Sequence, residues 1–261
     1  MPRFAANLSL LFTEMPFLDR FAAAAQAGFT AVECLFPYAH EPEAIAGCLA
    51  RHGLTLALFN LPPGDWQAGE RGLAALPDRF AELQAGVETG LRYARVTGAG
   101  RMHLMAGLAD ARDPGAQAAY RRAVAWAAER VGREGLDLLL EPINPRNMPG
   151  YFLGDVEAAA SLIRDLALPN LKLQFDLYHA QILHGDVTTR LAALMPLIGH
   201  VQTASVPARH EPGTGEMNDA YLFATLDRLG YAGFVGCEYN PARGTAEGLG
   251  WFAPYRASQV R

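Results

Sequence analysis

Four side chains that could share one chemical task each close a short apolar run: Glu141 after Asp-Leu-Leu-Leu, Asp176 after Leu-Gln-Phe, Gln202 after His-Val, and Glu238 after Phe-Val-Gly-Cys. Three carboxylates at the ends of apolar segments repel one another and are poorly hydrated, so a set of this kind needs a compensating cation or bound protons. All four side chains offer oxygen, which favours a hard divalent cation, Mg²⁺ or alternatively Mn²⁺, over zinc. Any one of them alone reads as a polar residue hydrogen-bonding a loop at a strand end. The four together point to a metal site, provided a fold brings these distant positions to one place.

Further candidates surround that set. His179, in Asp176-Leu177-Tyr178-His179, could hold or polarise a hydroxyl or carbonyl oxygen, and Arg209, in Arg209-His210-Glu211, could clamp a substrate carboxylate with two parallel hydrogen bonds. Asn60, His103, Asn144 and Arg146 are weaker substrate-binding candidates from other strand ends and loops, and Glu33 reads as support for the site rather than as a reacting group. No G-x-S-x-G elbow, P-loop, H-E-x-x-H or C-x-x-C occurs, which removes the specific support for serine hydrolase, nucleoside-triphosphatase, zincin and dithiol redox chemistry.

The elements that must position these residues recur along the chain. Strand-like apolar runs at 4–8, 31–35, 55–60, 102–105, 137–141, 171–176, 200–202 and 234–238 alternate with helix-like periodicity at 16–27, 42–52, 78–93, 116–133, 155–166, 186–194 and 219–229. Strict alternation implies parallel strands joined by crossovers, and eight units fit a closed (β/α)₈ TIM barrel better than a doubly wound open sheet. No Gly-rich dinucleotide fingerprint follows the first strand, where Asn7-Leu8-Ser9-Leu10 stands instead. In a barrel the C-terminal strand ends converge on one mouth, and the long loops 62–66 and 207–218 lie on that side, with Trp66 and Trp251 as candidate pocket walls.

Composition agrees with this architecture. A length of 261 residues suits one barrel domain over 1–261, and 51% hydrophobic residues can fill a large core. A net charge of -5 without a basic stripe argues against a nucleic-acid partner and for a small molecule. Neither a secretory leader nor a membrane span is legible, and Cys34, Cys48 and Cys237 form neither a disulfide framework nor a zinc knuckle, so a reducing, cytoplasmic setting is expected. Assembly into a homo-oligomer is compatible with the sequence.

With these residues in place, the chain resembles the hydroxypyruvate isomerase family, within the xylose isomerase-like TIM barrels that also include ketose 3-epimerases. The resemblance spans nearly the whole chain. It is carried by Leu58-Phe59-Asn60-Leu61-Pro62, Gly64-Asp65-Trp66, Glu141-Pro142-Ile143-Asn144, Met148-Pro149-Gly150-Tyr151-Phe152, Gln174-Phe175-Asp176-Leu177-Tyr178-His179 and Arg209-His210-Glu211-Pro212-Gly213-Thr214-Gly215-Glu216. It implies an isomerase that interconverts hydroxypyruvate and tartronate semialdehyde through an enediolate. Glu141 and Glu238 would be the proton donor/acceptor pair, and Asp176 and Gln202 would complete the metal-binding set with them. Two positions depart from related patterns: Gln202 stands where the wider epimerase group has His, and Thr203-Ala204-Ser205 stands where relatives often carry an acidic residue. The same chemistry would serve a four-carbon 2-oxo-tetronate. A ketose 3-epimerase, a barrel endonuclease and a non-catalytic sugar-acid binding protein are the remaining alternatives.

Overall fold

In a computed structural model describing residues 1–260, eight parallel strands form one closed ring in sequence order, β1 through β8. They are Arg3–Asn7 (β1), Ala31–Cys34 (β2), Thr55–Asn60 (β3), Arg101–His103 (β4), Asp137–Leu140 (β5), Leu171–Asp176 (β6), Ile198–Thr203 (β7) and Phe234–Cys237 (β8). The ring closes where β1 pairs with β8, from Arg3 opposite Phe234 to Ala6 opposite Cys237. This is the barrel expected from the alternation; the open-sheet alternative falls because both edge strands are paired.

Helices cover the outside, and local chemistry sets their ends. The helix Pro42–His52 begins with proline, whose fixed φ suits a first turn, and stops at Gly53 in the left-handed conformation. Asp113 and Asp155 cap the helices Pro114–Gly132 and Val156–Leu166 through side-chain oxygens that accept backbone N–H groups. The helix Leu177–Leu183 was absent from the periodicity reading because it follows β6 with no connecting loop. Asp176 ends the strand and caps that helix, its Oδ1 accepting from the Tyr178 N–H at 2.8 Å. No helix among the described residues is long and apolar enough to cross a membrane.

Side-chain alternation fills the barrel interior unevenly. Ala5, Ala31 and Ala57 form a small buried apolar layer. Two residues further along the first two strands, Asn7 and Glu33 lie opposite each other, and Gln174 with His200 and Asp176 with Gln202 pair similarly across β6 and β7. Register shifts at Val32/Glu33 and Leu173/Gln174 accompany this polar layer, as expected where bulges re-aim side chains.

The seam is sealed from outside by the C-terminal 3₁₀ segment Leu249–Val260. Phe4 of β1 is fully buried and meets the rings of Phe223, Trp251, Phe252 and Tyr255 edge-on at 5.0 to 5.9 Å. Trp251 thus belongs to this aromatic packing, and the expectation that it walls the pocket is corrected. Replacing Phe4 with Ala is expected to lower unfolding stability by about 3–5 kcal/mol in urea denaturation, because the ring leaves a cavity its rigid neighbours cannot fill.

Candidate active site

The C-terminal strand ends surround a cavity of about 230 Å³ whose lining includes Asn60, His103, Glu141, His179, Arg209 and Glu238. Trp66, Arg71 and Asn147 contribute from the loops. Asp176 is buried beneath the opening, with Oδ2 3.6 Å from His179 Nε2 and 3.9 Å from Arg209 Nη2. Arg146 does not share this place: it is exposed, does not line the cavity, and only its backbone N–H is engaged, with the Asn144 side chain. Unlike Asn60, His103, His179 and Arg209 it therefore lies outside the cavity, because the turn held by Asn144 carries its side chain to solvent.

Charge is the dominant feature of this cavity. Glu141, Asp176 and Glu238 are all buried, and Arg209 is the guanidinium placed against them, donating from Nη2 to Glu238 Oε1 at 2.9 Å. Burial drives all three carboxyl pKa values upward; the neighbouring carboxylates Glu238 and Asp176 add to the effect at Glu141, while Arg209 opposes it throughout. The Arg209 ring of contacts also includes the Tyr178 face, 5.1 Å away. Nη2 is committed to Glu238 while Nε has no hydrogen-bond partner, and the carboxylates beside Nη2 compete with the clamp role expected of this side chain.

Both histidines are held neutral. Burial lowers the pKa of His103 to about 3, and burial followed by the Arg209 charge and His103 lowers that of His179 well below its ordinary value. The His179 tautomer follows from its partners. Nδ1 faces the Asn144 side-chain amide at 2.6 Å and the Asn144 backbone N–H at 3.3 Å, while Asn144 Oδ1 accepts from the N–H groups of Arg146 and Asn147. Two donors on Nδ1 leave the proton on Nε2, which points at Asp176 and at Glu141 Oε1, 3.9 Å away. His179 thus presents an N–H to oxygens in the cavity.

Ligand atoms of Glu141, Asp176 and His179 lie within 4.8 Å of one another, a spacing compatible with a divalent metal. Glu141 Oε1 and Asp176 Oδ2 are buried without a hydrogen-bond partner, so the donor set fits a hard cation. In its present tautomer His179 is a donor rather than a ligand. Gln202 lies below, donating from Nε2 to Glu33 Oε1 at 2.9 Å and accepting at Oε1 from Gln174 Nε2 at 2.6 Å. One lone pair of that oxygen is thereby used and the other is left.

Glu33 organises this lower layer. Its Oε1 also accepts from Asn7 Nδ2 at 3.0 Å and its Oε2 faces His200 Nε2 at 2.7 Å. Gly236 of β8 sits against the same carboxylate, and a Cβ there would collide with it. The sequence reading missed Gln174 and His200, although each lies two residues before a named candidate and hence on the same strand face. It also missed Arg71, for which a loop position offers no periodic signal.

Residues 21–255 match the model of the family described as xylose isomerase-like TIM barrel, and the chain belongs to that family. Among its relatives, a 2-oxo-tetronate isomerase of Cupriavidus necator is 52% identical over 98% of this chain and 99% of its own. A hydroxypyruvate isomerase of Escherichia coli is 44% identical over 98% of this chain and 100% of its own. A crystal structure described as an AP endonuclease, family 2, from Brucella melitensis superposes with a TM-score of 0.96 at 48% identity, covering 98% of this chain and 100% of that one.

The neutral His103 links stability to pH. Its folded pKa of about 3 lies below the unfolded value, so the unfolded chain binds the extra proton and stability falls as pH drops through about 6.5 toward 3. Between pH 7 and 5 this one group accounts for about 2 kcal/mol, and His103→Gln is expected to shrink the acid-induced loss by that amount in urea titrations; an unchanged loss would contradict the assignment.

Proposed function

We propose that this chain is an isomerase that moves the carbonyl of a short 2-oxo acid from carbon 2 to carbon 3 through an enediolate, converting hydroxypyruvate to tartronate semialdehyde and back. The observation that carries this reading is the pair Glu141 and Glu238, two buried carboxyl groups from the ends of β5 and β8 that line one small cavity and whose pKa values are both driven upward. The reaction takes a proton from carbon 3 and returns one to carbon 2, while the hydroxyl proton passes between the two oxygens. It needs one carboxylate as base and one carboxylic acid as donor, and carboxyl groups with raised pKa values can exchange these states near neutral pH.

The other residues have supporting work. His179 Nε2–H donates to a substrate oxygen and steadies the negative charge that gathers there, in an orientation fixed by Asn144. Arg209 offsets the surrounding carboxylates. Asn60 and His103 bound the cavity on the β3 and β4 side. Glu141 and Asp176, with Glu238 and Gln202 beside them, would hold a divalent ion such as Mg²⁺ or Mn²⁺. Such an ion would supply Lewis-acid polarisation of the adjacent carbonyl and hydroxyl oxygens.

A second reading keeps the chemistry and lengthens the substrate. The 52% identical relative is named a 2-oxo-tetronate isomerase, which favours a four-carbon 2-oxo acid undergoing the same shift. An endonuclease function is disfavoured by the net charge of -5 and by a cavity of about 230 Å³ lined by carboxyl groups, which would repel a phosphodiester backbone.

Proton NMR in deuterium oxide tests both readings. Hydroxypyruvate or a 2-oxo-tetronate should take up solvent deuterium as it isomerises, whereas a neutral ketose turned over in preference to both acids would indicate an epimerase. Glu141→Gln and Glu238→Gln are each expected to lower turnover by ~10²- to 10⁴-fold with the fold intact by circular dichroism; near-normal activity in either variant removes that residue from the mechanism.

A further inference from the structure

We propose that Arg71 binds the carboxylate of the substrate and so makes the cavity selective for acids over neutral sugars; this rests on the sugar-acid reading above. The cavity is lined by two guanidinium groups with different surroundings. Arg209 is bonded to Glu238 and lies 3.9 Å from Asp176, so an anion brought to it would also approach those carboxylates. Arg71 has no carboxylate within ion-pair distance among the described residues. Its positive charge is therefore available to an incoming anion.

The geometry of Arg71 prepares it for that use. The guanidinium stacks on the indole of Trp66, 3.9 Å from the ring centroid, and Nη1 donates to the backbone carbonyls of Trp66 at 3.0 Å and Glu70 at 2.7 Å. These contacts fix the plane and occupy Nη1. They leave the N–H groups of Nε and Nη2, the edge whose parallel donors match the two oxygens of a carboxylate.

The loop beneath Arg71 is itself fastened. Glu70 accepts from Arg79 Nη1 at 2.6 Å and from the Asp65 N–H at 2.6 Å. Gly72 pairs with Ala106 in an isolated bridge, and a Cβ at Gly72 would run into the Met105 carbonyl. Arg71 is thus held between two anchored neighbours, so little ordering is required when an anion arrives. Glu141, His179 and Glu238 line the same cavity of about 230 Å³, so a short acid held at Arg71 shares that small space with them.

Steady-state kinetics and calorimetry on the wild type, Arg71→Gln and Arg71→Lys test this. Hydroxypyruvate and a 2-oxo-tetronate serve as substrates, and pyruvate serves as an unreactive carboxylate probe. Arg71→Gln is expected to raise KM for the acids and weaken pyruvate binding by on the order of 10- to 100-fold, with kcat much less affected and melting temperature retained, and Arg71→Lys to recover part of the loss. Unchanged KM and unchanged pyruvate affinity in Arg71→Gln overturn the proposal while leaving the isomerase reading intact. Pyruvate binding that depends on Arg71 in a wild type that isomerises neither acid would sustain the carboxylate site and sink the isomerase reading instead.

Discussion

Burial of Glu141, Asp176 and Glu238 around one guanidinium sets the terms for the rest of the molecule. Carboxylates removed from water at close quarters cannot all stay ionised without compensation, and here the opposing charge comes from Arg209. The surplus resolves itself by taking up protons or a cation, and both routes would serve the proton transfers proposed for this site. The same low-dielectric setting keeps His103 and His179 uncharged, so the His179 ring acts as a neutral hydrogen-bonding group. A barrel suits such an arrangement because each group is borne by a different strand, and the closed hydrogen-bonded ring resists the repulsion that would drive separate elements apart.

Much of this architecture was legible in the sequence because a repeating strand and helix leaves a periodic trace. Glu141, Asp176, Gln202 and Glu238 could be aligned as equivalent strand ends without knowing any contact, and the barrel brings Glu141 and Glu238 to one cavity with Asp176 below. Periodicity failed where one residue serves two elements. Asp176 finishes β6 and begins a helix, so the segment from Leu177 to Leu183 carried no separate start signal.

Contacts that depend on the fold closing were illegible. Glu33 and His200 are far apart in the chain and meet only across the barrel, and nothing local marks them as partners. Arg71 illustrates the same limit for loops: its surroundings come from a turn that folds back on Trp66 and from a bridge to Ala106, neither of which has a period. Arg146 shows the reverse. As a cation in a loop after a strand end it was a candidate for the site, but the Asn144 turn leads it outward. A place in a loop was a poor guide there, whereas equivalence of position within the repeat was a good one.

The contact between Glu33 and Gly236 makes two positions behave as one unit of sequence. Any side chain admitted at 236 needs the acid at 33 to shorten or withdraw, and withdrawal releases Asn7, His200 and Gln202 together. A side chain at 236 should therefore be tolerated only together with a change at 33. For anyone redesigning the cavity, the floor of this barrel is a single movable part, to be exchanged whole rather than residue by residue.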